Sequence, residues 1–289
     1  IPTVGVNKHY GLRDATLRDI PFINTIYNRQ RGKSIVSATI DESWWRYQIE
    51  SWHKARRGAM SPPQMSDAFW HVQVIFDQEA ARKGYVIMPV ARWKLSVPVF
   101  DLEVAPGVNL QEVLPSLLHV LHKQGKEMPK YHGSQEVSRI AFCLGRSHPV
   151  YDLLGQALTS VREAPYAWYV RVPDLVAFLR HIAPVLERRL EQSALSGYSG
   201  DLRMNFYRGG LRMVFEHGRL TTVEDWRNPV WGGNAVAGFP PLVFLQLLFG
   251  RRSLDDLRYA YPDVRANDEA QPVLNTLFPA RPSWVIPLG

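Results

Sequence analysis

Two histidines of this 289-residue chain have a spacing at which side chains can hold a metal ion. His119 and His122 are three positions apart on a predicted helix, so both can face the same ligand. No further histidine, cysteine or aspartate pattern completes a set of ligands, and leucines surround the pair. The sequence therefore predicts histidines on the surface of an ordinary helix, and no metal site.

Two other positions could supply a nucleophile. The segment Gly197-Tyr198-Ser199-Gly200 lacks the Gly-x-Ser-x-Gly spacing and the preceding strand of a nucleophile elbow, which favours a flexible loop. Cys143 follows an apolar strand and has no evident partner base, which favours a buried structural thiol. As the only cysteine it cannot form an internal disulfide, in keeping with a reducing cytoplasm.

Aromatic and glycine-rich segments offer two possible ligand contacts. Trp44, Trp45 and Trp52 share one predicted helix, where they could form the floor of a pocket or pack the helix against a sheet. Gly232-Gly233 lies near two further tryptophans and could contact a ligand or simply connect two elements. Both interpretations stay open at each place.

Composition and charge exclude several classes of protein. Hydrophobic residues make up 46% of the chain and charged residues 21%, values typical of a globular protein. The net charge is +7, but basic residues are scattered among acidic ones and do not form the stripe that phosphate tracking needs. The strongest apolar run, Pro240 to Phe249, is far shorter than the roughly 18 residues of a membrane span. We therefore expect a cytoplasmic protein without a signal peptide that binds neither nucleic acid nor a membrane.

The elements that carry these residues fall into two halves. The first half has the order strand, two helices, three strands, helix, strand, helix and strand. The predicted strands are Tyr10 to Ala15, Phe69 to Asp77, Gly84 to Trp93, Val97 to Glu103, Val137 to Phe142 and Ala167 to Val172. The predicted helices are Ile20 to Arg29, Asp41 to Arg56, Leu110 to Lys123 and Val150 to Leu158. The second half has a long helix, three strands joined by glycine turns and three short helices, over Asp174 to Gln192, Asp201 to Tyr207, Leu211 to Glu216, Arg219 to Glu224, Pro240 to Phe249, Ser253 to Ala260 and Ala270 to Phe278. A break near Pro173 separates an α/β domain from an α+β domain.

The opening segment and the order of elements resemble a known family. Arg13, Ala15, Thr16 and Asp19 form an Arg-x-Ala-Thr-x-x-Asp pattern at a strand-to-helix junction. This pattern is common at the start of domains with the GCN5-related N-acetyltransferase (GNAT) fold, and the segment from Asp101 to Gly107 is similar to that family's fourth strand and its exit. The resemblance implies a mixed sheet flanked by helices.

The loop after that strand departs from the family's pattern. In active GNAT members, an Arg/Gln-x-x-Gly-x-Gly/Ala loop at a helix start holds the pyrophosphate of acetyl-CoA with its backbone amides. Here the segment from Val108 to Val113 has no glycine, and Glu112 brings a negative charge to that place. Pro115 is expected to disturb the helix that follows. We therefore predict that this domain does not bind acetyl-CoA.

The second half is similar to the sterol-carrier-protein-like domain that ends acetyltransferases of the enhanced-intracellular-survival type. The similarity lies in three segments, Tyr169 to Leu175, Gly250 to Leu257 and Leu277 to Trp284. It implies that residues 1–172 form a GNAT-like domain with a degenerate cofactor loop and that residues 173–289 form a sterol-carrier-protein-like domain. The expected fold class is therefore α/β followed by α+β.

Proteins of that type have a catalytic acetyltransferase domain, a second GNAT domain without the cofactor loop, and the carrier-like domain. This chain looks like the second and third parts, and its isoleucine start fits the absence of the first. The resemblance implies that the complete protein is a homo-oligomer that transfers acetyl from acetyl-CoA to a primary amine of a small molecule or peptide. This chain would shape the acceptor pocket and the oligomer, and alone it would be inactive and free of cofactor.

The carrier-like domain also allows an alternative function, the binding of an apolar ligand such as a lipid. The run from Leu242 to Phe249 could line a tunnel between a sheet and helices, or it could be ordinary core. Lipid that co-purifies with the chain would favour this alternative. An acetyl-CoA loop encoded upstream would favour the acetyltransferase.

The resemblance gives the end of the chain a role, because in that family the C-terminal carboxylate accepts a proton in the catalytic domain. The role would fall on the carboxylate of Gly289, the one candidate catalytic residue. The segment from Trp284 to Pro287 is expected to be packed, since exposing three large apolar side chains costs about 1.5–3 kcal/mol each. It could direct Gly289 towards a catalytic domain, or it could be an edge strand of the carrier-like sheet.

Overall fold

The computed structural model of the chain describes residues 9–56, 70–128, 136–159, 161, 163, 169–227 and 234–286. The chain divides into two units, of which unit 1 comprises Ile1–Tyr166 and Trp284–Gly289 and unit 2 comprises Ala167–Ser283. The sequence placed the division between residues 172 and 173 and assigned the whole C-terminus to the second domain. The structure differs at the end of the chain because the apolar side chain of Ile286 is buried in the core of unit 1.

The first elements of unit 1 are joined by a buried carboxylate. Strand β1 (Tyr10–Asp14) leads through one 3-10 turn (Leu17–Asp19) into helix α1 (Ile20–Arg31). The Asp19 carboxylate accepts two hydrogen bonds from the Arg13 guanidinium, at 2.7 and 2.8 Å, and two from the amide and hydroxyl of Thr16, at 2.9 and 2.8 Å. The pattern that carries the family resemblance is therefore a structural device that closes the turn.

A four-stranded antiparallel sheet forms the centre of unit 1, in the order β1-β2-β3-β5. Strands β2 (Trp70–Asp77), β3 (Arg82–Pro89), β4 (Ser96–Val99) and β5 (Asp101–Val104) follow helix α2 (Glu42–Arg56). Tyr85 and Ile87 of β3 belong to the same core cluster as α1 and α2, whereas Val86 and Met88 belong to the cluster of helix α3 (Leu110–Glu127). The alternation of β3 therefore gives the sheet a buried helical layer on each face.

The fourth predicted strand is divided at Phe100. Before this residue, β4 pairs in parallel with β6 (Arg139–Phe142), and after it, β5 pairs antiparallel with β3. The amide of Phe100 donates to the Ile87 carbonyl oxygen at 2.8 Å, and its ring is buried. The segment thus changes partner at Phe100, so its pairing with β6 ends before Asp101.

Three sequence predictions for this half differ from the structure. Helix α3 continues through Pro115, whose position near the exposed start of the helix lets water solvate the carbonyl oxygen that lacks an amide partner. Helix α4 (Val150–Leu158) is interrupted at Gly155, which has a left-handed φ of 57°. In the predicted strand that ends at Val172, the described residues 169–172 form no strand, and Tyr169 is almost fully exposed.

Unit 2 has a sheet in the order β11-β10-β7-β8-β9. Its elements are α5 (Leu175–His181), α6 (Ala183–Glu191), β7 (Gly200–Asn205), β8 (Gly210–Glu216), β9 (Arg219–Asp225), β10 (Ala237–Gly238), α7 (Val243–Leu248), α8 (Leu254–Ala260), β11 (Arg265–Ala266) and α9 (Ala270–Leu277). The predicted long helix is divided into α5 and α6 at Ile182, just before Pro184. The predicted three-strand meander is present as β7, β8 and β9.

The apolar run that could have lined a tunnel contributes to the core of unit 2. Val243, Phe244, Leu247 and Leu248 are buried there, and the ring of Phe244 contacts three other phenylalanine rings, with centroids 5.3 to 5.5 Å apart. Leu242, at the start of the run, is 78% exposed. Among the described residues, no helix is long and apolar enough to cross a membrane.

Candidate functional site

The loop between β5 and α3 is the place where a GNAT domain would hold the phosphates of its cofactor. Asn109 caps helix α3, because its side-chain oxygen accepts the Gln111 amide at 3.0 Å. The Asn109 side-chain nitrogen donates to the Glu112 carboxylate at 3.2 Å. Gly107 is the single glycine of the loop and has a left-handed φ of 82°. Side chains of the chain itself therefore occupy the start of this helix.

These residues do not fit a pyrophosphate. Such a group needs free amides at the helix start and backbone that can approach it closely. The amide of Gln111 already has a partner, and the Glu112 carboxylate lies in the first turn, where it takes the favourable interaction with the helix dipole that an anion would otherwise have. Gly107 serves the turn, since a Cβ placed on it would meet no atom within 4 Å.

Next to this loop, β5 carries two carboxyl groups that point to the same face of the sheet. Asp101 is 2% exposed, and it accepts hydrogen bonds from the Tyr85 hydroxyl at 2.7 Å and from the Leu102 amide at 3.0 Å. Glu103 lies opposite Tyr85 in the strand register, and its side chain is 14% exposed. Two acidic side chains and one phenol are therefore buried together between β5 and the first two helices.

Burial determines how these groups ionise. It raises the pKa of Asp101 to about 6, against the opposing hydrogen bond from Tyr85. Burial and the negative charge of Asp101 raise the pKa of Glu103 to about 8, which the charge of Lys33 partly counteracts. The pKa of Tyr85 is held well above its usual value by burial and by the same aspartate. The arrangement can take up or release a proton near neutral pH, which is the chemical property of a general acid or base.

His148 is close to this cluster but has a structural role. Its Nε2 lies 2.9 Å from the Leu102 carbonyl oxygen, and its Nδ1 accepts the Val150 amide at 3.2 Å. This pair of bonds requires the neutral ring with its proton on Nε2. Burial lowers the pKa of the ring, which also favours the neutral form. The Glu103 carboxylate is 3.9 Å from the same Nε2. His148 therefore joins β5 to the start of α4.

The end of the chain packs on unit 1, as the run of apolar residues predicted. The amide of Trp284 donates to the Val36 carbonyl oxygen at 3.0 Å, and Ile286 is 2% exposed. A Cβ placed on Gly145 would lie 3.3 Å from the Cβ of Trp284, so the absence of a side chain there lets Trp284 approach. The described part of this segment forms no strand and does not extend the sheet of unit 2. Gly289, the predicted catalytic residue, lies outside the described residues.

The other chemically capable residues lie on α3, after β6 and just before β7. His119 and His122 are half-buried on α3, and no group of three or more possible metal ligands occurs in the described part of the chain. Cys143 is half-buried, and burial raises the pKa of its thiol to about 11, which leaves little thiolate. The Ser199 hydroxyl accepts the His217 amide at 2.9 Å in a turn. Gly232 and Gly233 lie outside the described residues.

The tryptophans of α2 serve packing. Trp45 is fully buried and meets the rings of Tyr27, Trp44 and Tyr85 edge-on, with centroids 4.9 to 6.1 Å apart. Trp52 stacks on His71, with ring centroids 3.7 Å apart. The interpretation of these residues as helix packing is therefore the one that the contacts support.

The sequence analysis missed Asp101 and Glu103 as a pair. Their spacing of two residues on a predicted strand places both on one face, and this signal was available. Whether that face is solvated or buried depends on the helices packed against it, which local patterning does not reveal.

No protein-family profile matches the sequence, and no curated protein does. Among solved structures, the chain is similar to a protein of Enterococcus faecalis V583 described as a conserved protein of unknown function and probable N-acyltransferase. The TM-score is 0.52 at 12% sequence identity, and the match covers 96% of this chain and 62% of that one. The chain thus spans less than two thirds of the length of that protein. The chain is also similar to a spermidine N-acetyltransferase of Vibrio cholerae, solved with CoA and spermine. That match covers 42% of this chain and 66% of that one, at 14% identity and a TM-score of 0.29.

The similarity to the Enterococcus protein extends over nearly the whole chain, and at this identity it concerns the fold. The likeness is in keeping with the mixed α/β order of elements that the sequence predicts for the first half. The chain therefore has an α/β fold that it shares with a probable N-acyltransferase.

Proposed function

We propose that this chain is part of a GNAT-type N-acyltransferase and that it acts without an acyl-CoA site of its own. In this proposal, a further domain binds acetyl-CoA and transfers the acetyl group to a primary amine of a small molecule or peptide. The chain contributes part of the acceptor pocket and the contacts of a homo-oligomer. Unit 2 is a domain of the sterol-carrier-protein type, and the protein acts in the cytoplasm.

The observation that carries the proposal is the start of helix α3. The fold would place a cofactor phosphate there. However, Asn109 already accepts a hydrogen bond from a backbone amide of the first turn, and the carboxylate of Glu112 accepts one from the Asn109 side chain. A bound pyrophosphate would have to displace the Asn109 cap, and capping interactions are worth about 0.5–2 kcal/mol. It would also meet the negative charge of Glu112. Both effects oppose binding of acetyl-CoA to unit 1.

The likeness to the Enterococcus protein supports the proposal that this chain is part of a longer protein. The match uses nearly all of this chain but only 62% of that protein, so the shared fold there is accompanied by further polypeptide. A division of labour between a domain that binds the cofactor and a domain that does not is compatible with this difference in length. The buried acids of β5 have no assigned role in the transfer.

An acetylation assay tests the proposal. The product of the entire reading frame and the 289-residue chain are each incubated with radiolabelled acetyl-CoA and a panel of primary amines, including polyamines and lysine peptides. We expect transfer by the entire product and none by the chain alone. Transfer by the chain alone, or by neither protein with any amine, would contradict the proposal.

A further inference from the structure

The described end of the chain packs on unit 1 as a short strap, which comprises residues 284–286 and is called the C-terminal strap below. The Trp284 amide donates to the Val36 carbonyl oxygen at 3.0 Å, and a Cβ placed on Gly145 would lie 3.3 Å from the Trp284 Cβ. Ile286 is 2% exposed in the core of unit 1. The strap is therefore held by the loop after α1 and by the loop after β6.

Both loops that hold the strap also contribute to the surroundings of Glu103. The His148 amide donates to the Gly145 carbonyl oxygen at 2.8 Å, and the Nε2 atom of His148 lies 3.9 Å from the Glu103 carboxylate. The loop after α1 contains Lys33, whose positive charge acts on the same carboxyl group. A displacement of the strap would therefore affect the two loops that enclose this acid.

The buried side chain of the strap shares its core with the phenol that binds the second acid. Ile286 belongs to the same cluster as Tyr85, whose hydroxyl donates to the Asp101 carboxylate at 2.7 Å. Glu103 lies opposite Tyr85 in the strand register, so the two side chains stand on one face of the sheet. The strap itself has no titratable side chain. The titratable groups around Glu103 are Asp101, Tyr85, Tyr27, Lys33 and His148.

The carboxyl group of Glu103 is largely buried and lacks hydrogen-bond donors. Its side chain is 14% exposed, and no N–H or O–H group of the described residues donates to it. Asp101, by contrast, accepts hydrogen bonds from the Tyr85 hydroxyl and the Leu102 amide. Ionisation would leave the Glu103 carboxylate desolvated and without donors, which is costly because a buried charge needs hydrogen-bonded partners. Glu103 therefore requires contact with water when it ionises.

The strap is held by few interactions, which makes it the segment that can open to admit this water. Among the described residues, one hydrogen bond joins it to the rest of unit 1, from the Trp284 amide to Val36. The indole Nε1 of Trp284 is buried and has no hydrogen-bond partner in the described structure, which disfavours the docked state. Strand β3, in contrast, is hydrogen-bonded to a strand on each side. Segments with few main-chain hydrogen bonds open locally at a lower free energy than central strands.

We propose that the C-terminal strap is a pH-sensitive cover over Glu103, docked while this carboxyl group is protonated and released as it ionises. Release of the strap lets water reach the carboxylate, and reprotonation lets Ile286 return to the core. The proposal concerns unit 1 alone and does not depend on the acyltransferase proposal. It makes the exposure of the buried acids of β5 a response to pH.

The direction of the effect follows from the two states of the strap. The docked state raises the pKa of Glu103 from 4.5 to about 8, whereas the released state lets the carboxyl group return towards its ordinary value. The ratio of released to docked strap therefore rises with pH between these values, by up to about tenfold per pH unit, and levels off above about pH 8. We expect a total rise of about tenfold or more between pH 5 and pH 8.

Hydrogen exchange followed by mass spectrometry measures this ratio in the full chain. The quantity is the exchange rate of the peptide that contains Trp284, divided by the intrinsic rate at each pH. It should rise with pH in the wild type and stay constant in Glu103→Gln, because an amide does not ionise. Glu79→Gln, which removes an exposed glutamate of the same unit, is the matched control and should follow the wild type.

Peptides of β3 distinguish release of the strap from unfolding of the whole unit. They should keep their protection at each pH at which the strap peptide loses it. A strap peptide whose relative rate does not change with pH would overturn the proposal, as would a parallel loss of protection in the strap and in β3.

A covalent lock on the strap provides a second, independent variant. The distance of 3.3 Å between the Cβ positions of residues 145 and 284 is close to the roughly 3.5–4.5 Å of a disulfide. Gly145→Cys and Trp284→Cys are combined with Cys143→Ser, which removes the natural cysteine. The oxidised variant should lose the pH dependence of strap exchange, and reduction should restore it. Failure of the disulfide to form, or a pH dependence that persists once it has formed, would contradict the proposal.

Discussion

The surroundings of Glu103 predict that the protein loses stability as the pH rises. Its side chain is 14% exposed, and burial together with the charge of Asp101 raises the pKa of its carboxyl from 4.5 to about 8. A carboxyl with a higher pKa in the folded state binds its proton more tightly there than in the unfolded chain. The contribution of Glu103 to stability is therefore complete below about pH 4.5 and is lost as the pH rises to about 8.

Glu103→Gln removes this dependence, because the amide does not ionise. Each pH unit between the two pKa values is worth about 1.4 kcal/mol. The interval from 4.5 to about 8 therefore sets an upper limit of about 5 kcal/mol on the stability that the variant regains at pH 9. At pH 5 the variant and the wild type should differ little.

Urea unfolding at pH 5, 7 and 9 provides the measurement, with the buried Trp45 of unit 1 contributing to the fluorescence signal. Glu79→Gln is the matched control, since Glu79 is an exposed glutamate of the same unit and should leave the pH profile of the wild type unchanged. The reasoning fails if the free energies of unfolding of wild type and Glu103→Gln run parallel from pH 5 to pH 9.

Asp19→Ala should destabilise unit 1 by about 1–3 kcal/mol in thermal unfolding, because Arg13 and the Thr16 amide lose their shared acceptor. A change below about 0.5 kcal/mol would show that the turn does not depend on this carboxylate. Ile286→Ala should cost about 2–4 kcal/mol, since a buried side chain is truncated. Removal of Leu288 and Gly289 should instead leave the melting temperature unchanged and abolish acetylation by the entire product, and surviving activity would exclude the Gly289 carboxylate as proton acceptor.

The parts of the fold that the sequence predicted correctly are those with local signals. The strands from β7 to β9 are separated by turns that contain glycine, and Gly218 adopts the left-handed φ of 81° that such a turn requires. The Arg13 and Asp19 pattern likewise acts over a few residues, so its spacing alone indicates the junction of β1 and α1.

The parts that the sequence did not predict depend on distant residues. The division of the fourth strand arises because Phe100 bonds to Ile87, and no local signal marks that choice of partner. The end of the chain belongs to unit 1 because Ile286 finds its buried surroundings there, far away in sequence. The raised pKa of Glu103 has the same origin, since it requires a helical layer over β5 that only the tertiary structure provides.

Titration of acetyl-CoA into the 289-residue chain, followed by calorimetry, tests the central claim most directly. The capped start of α3 predicts no saturable heat at micromolar concentrations, because Asn109 and Glu112 occupy the place of the phosphates. The double variant Asn109→Gly and Glu112→Gly serves as a probe of that place. Micromolar binding by the wild-type chain that this double variant weakens would contradict the account, since it would locate a working cofactor site at the very loop that the structure closes.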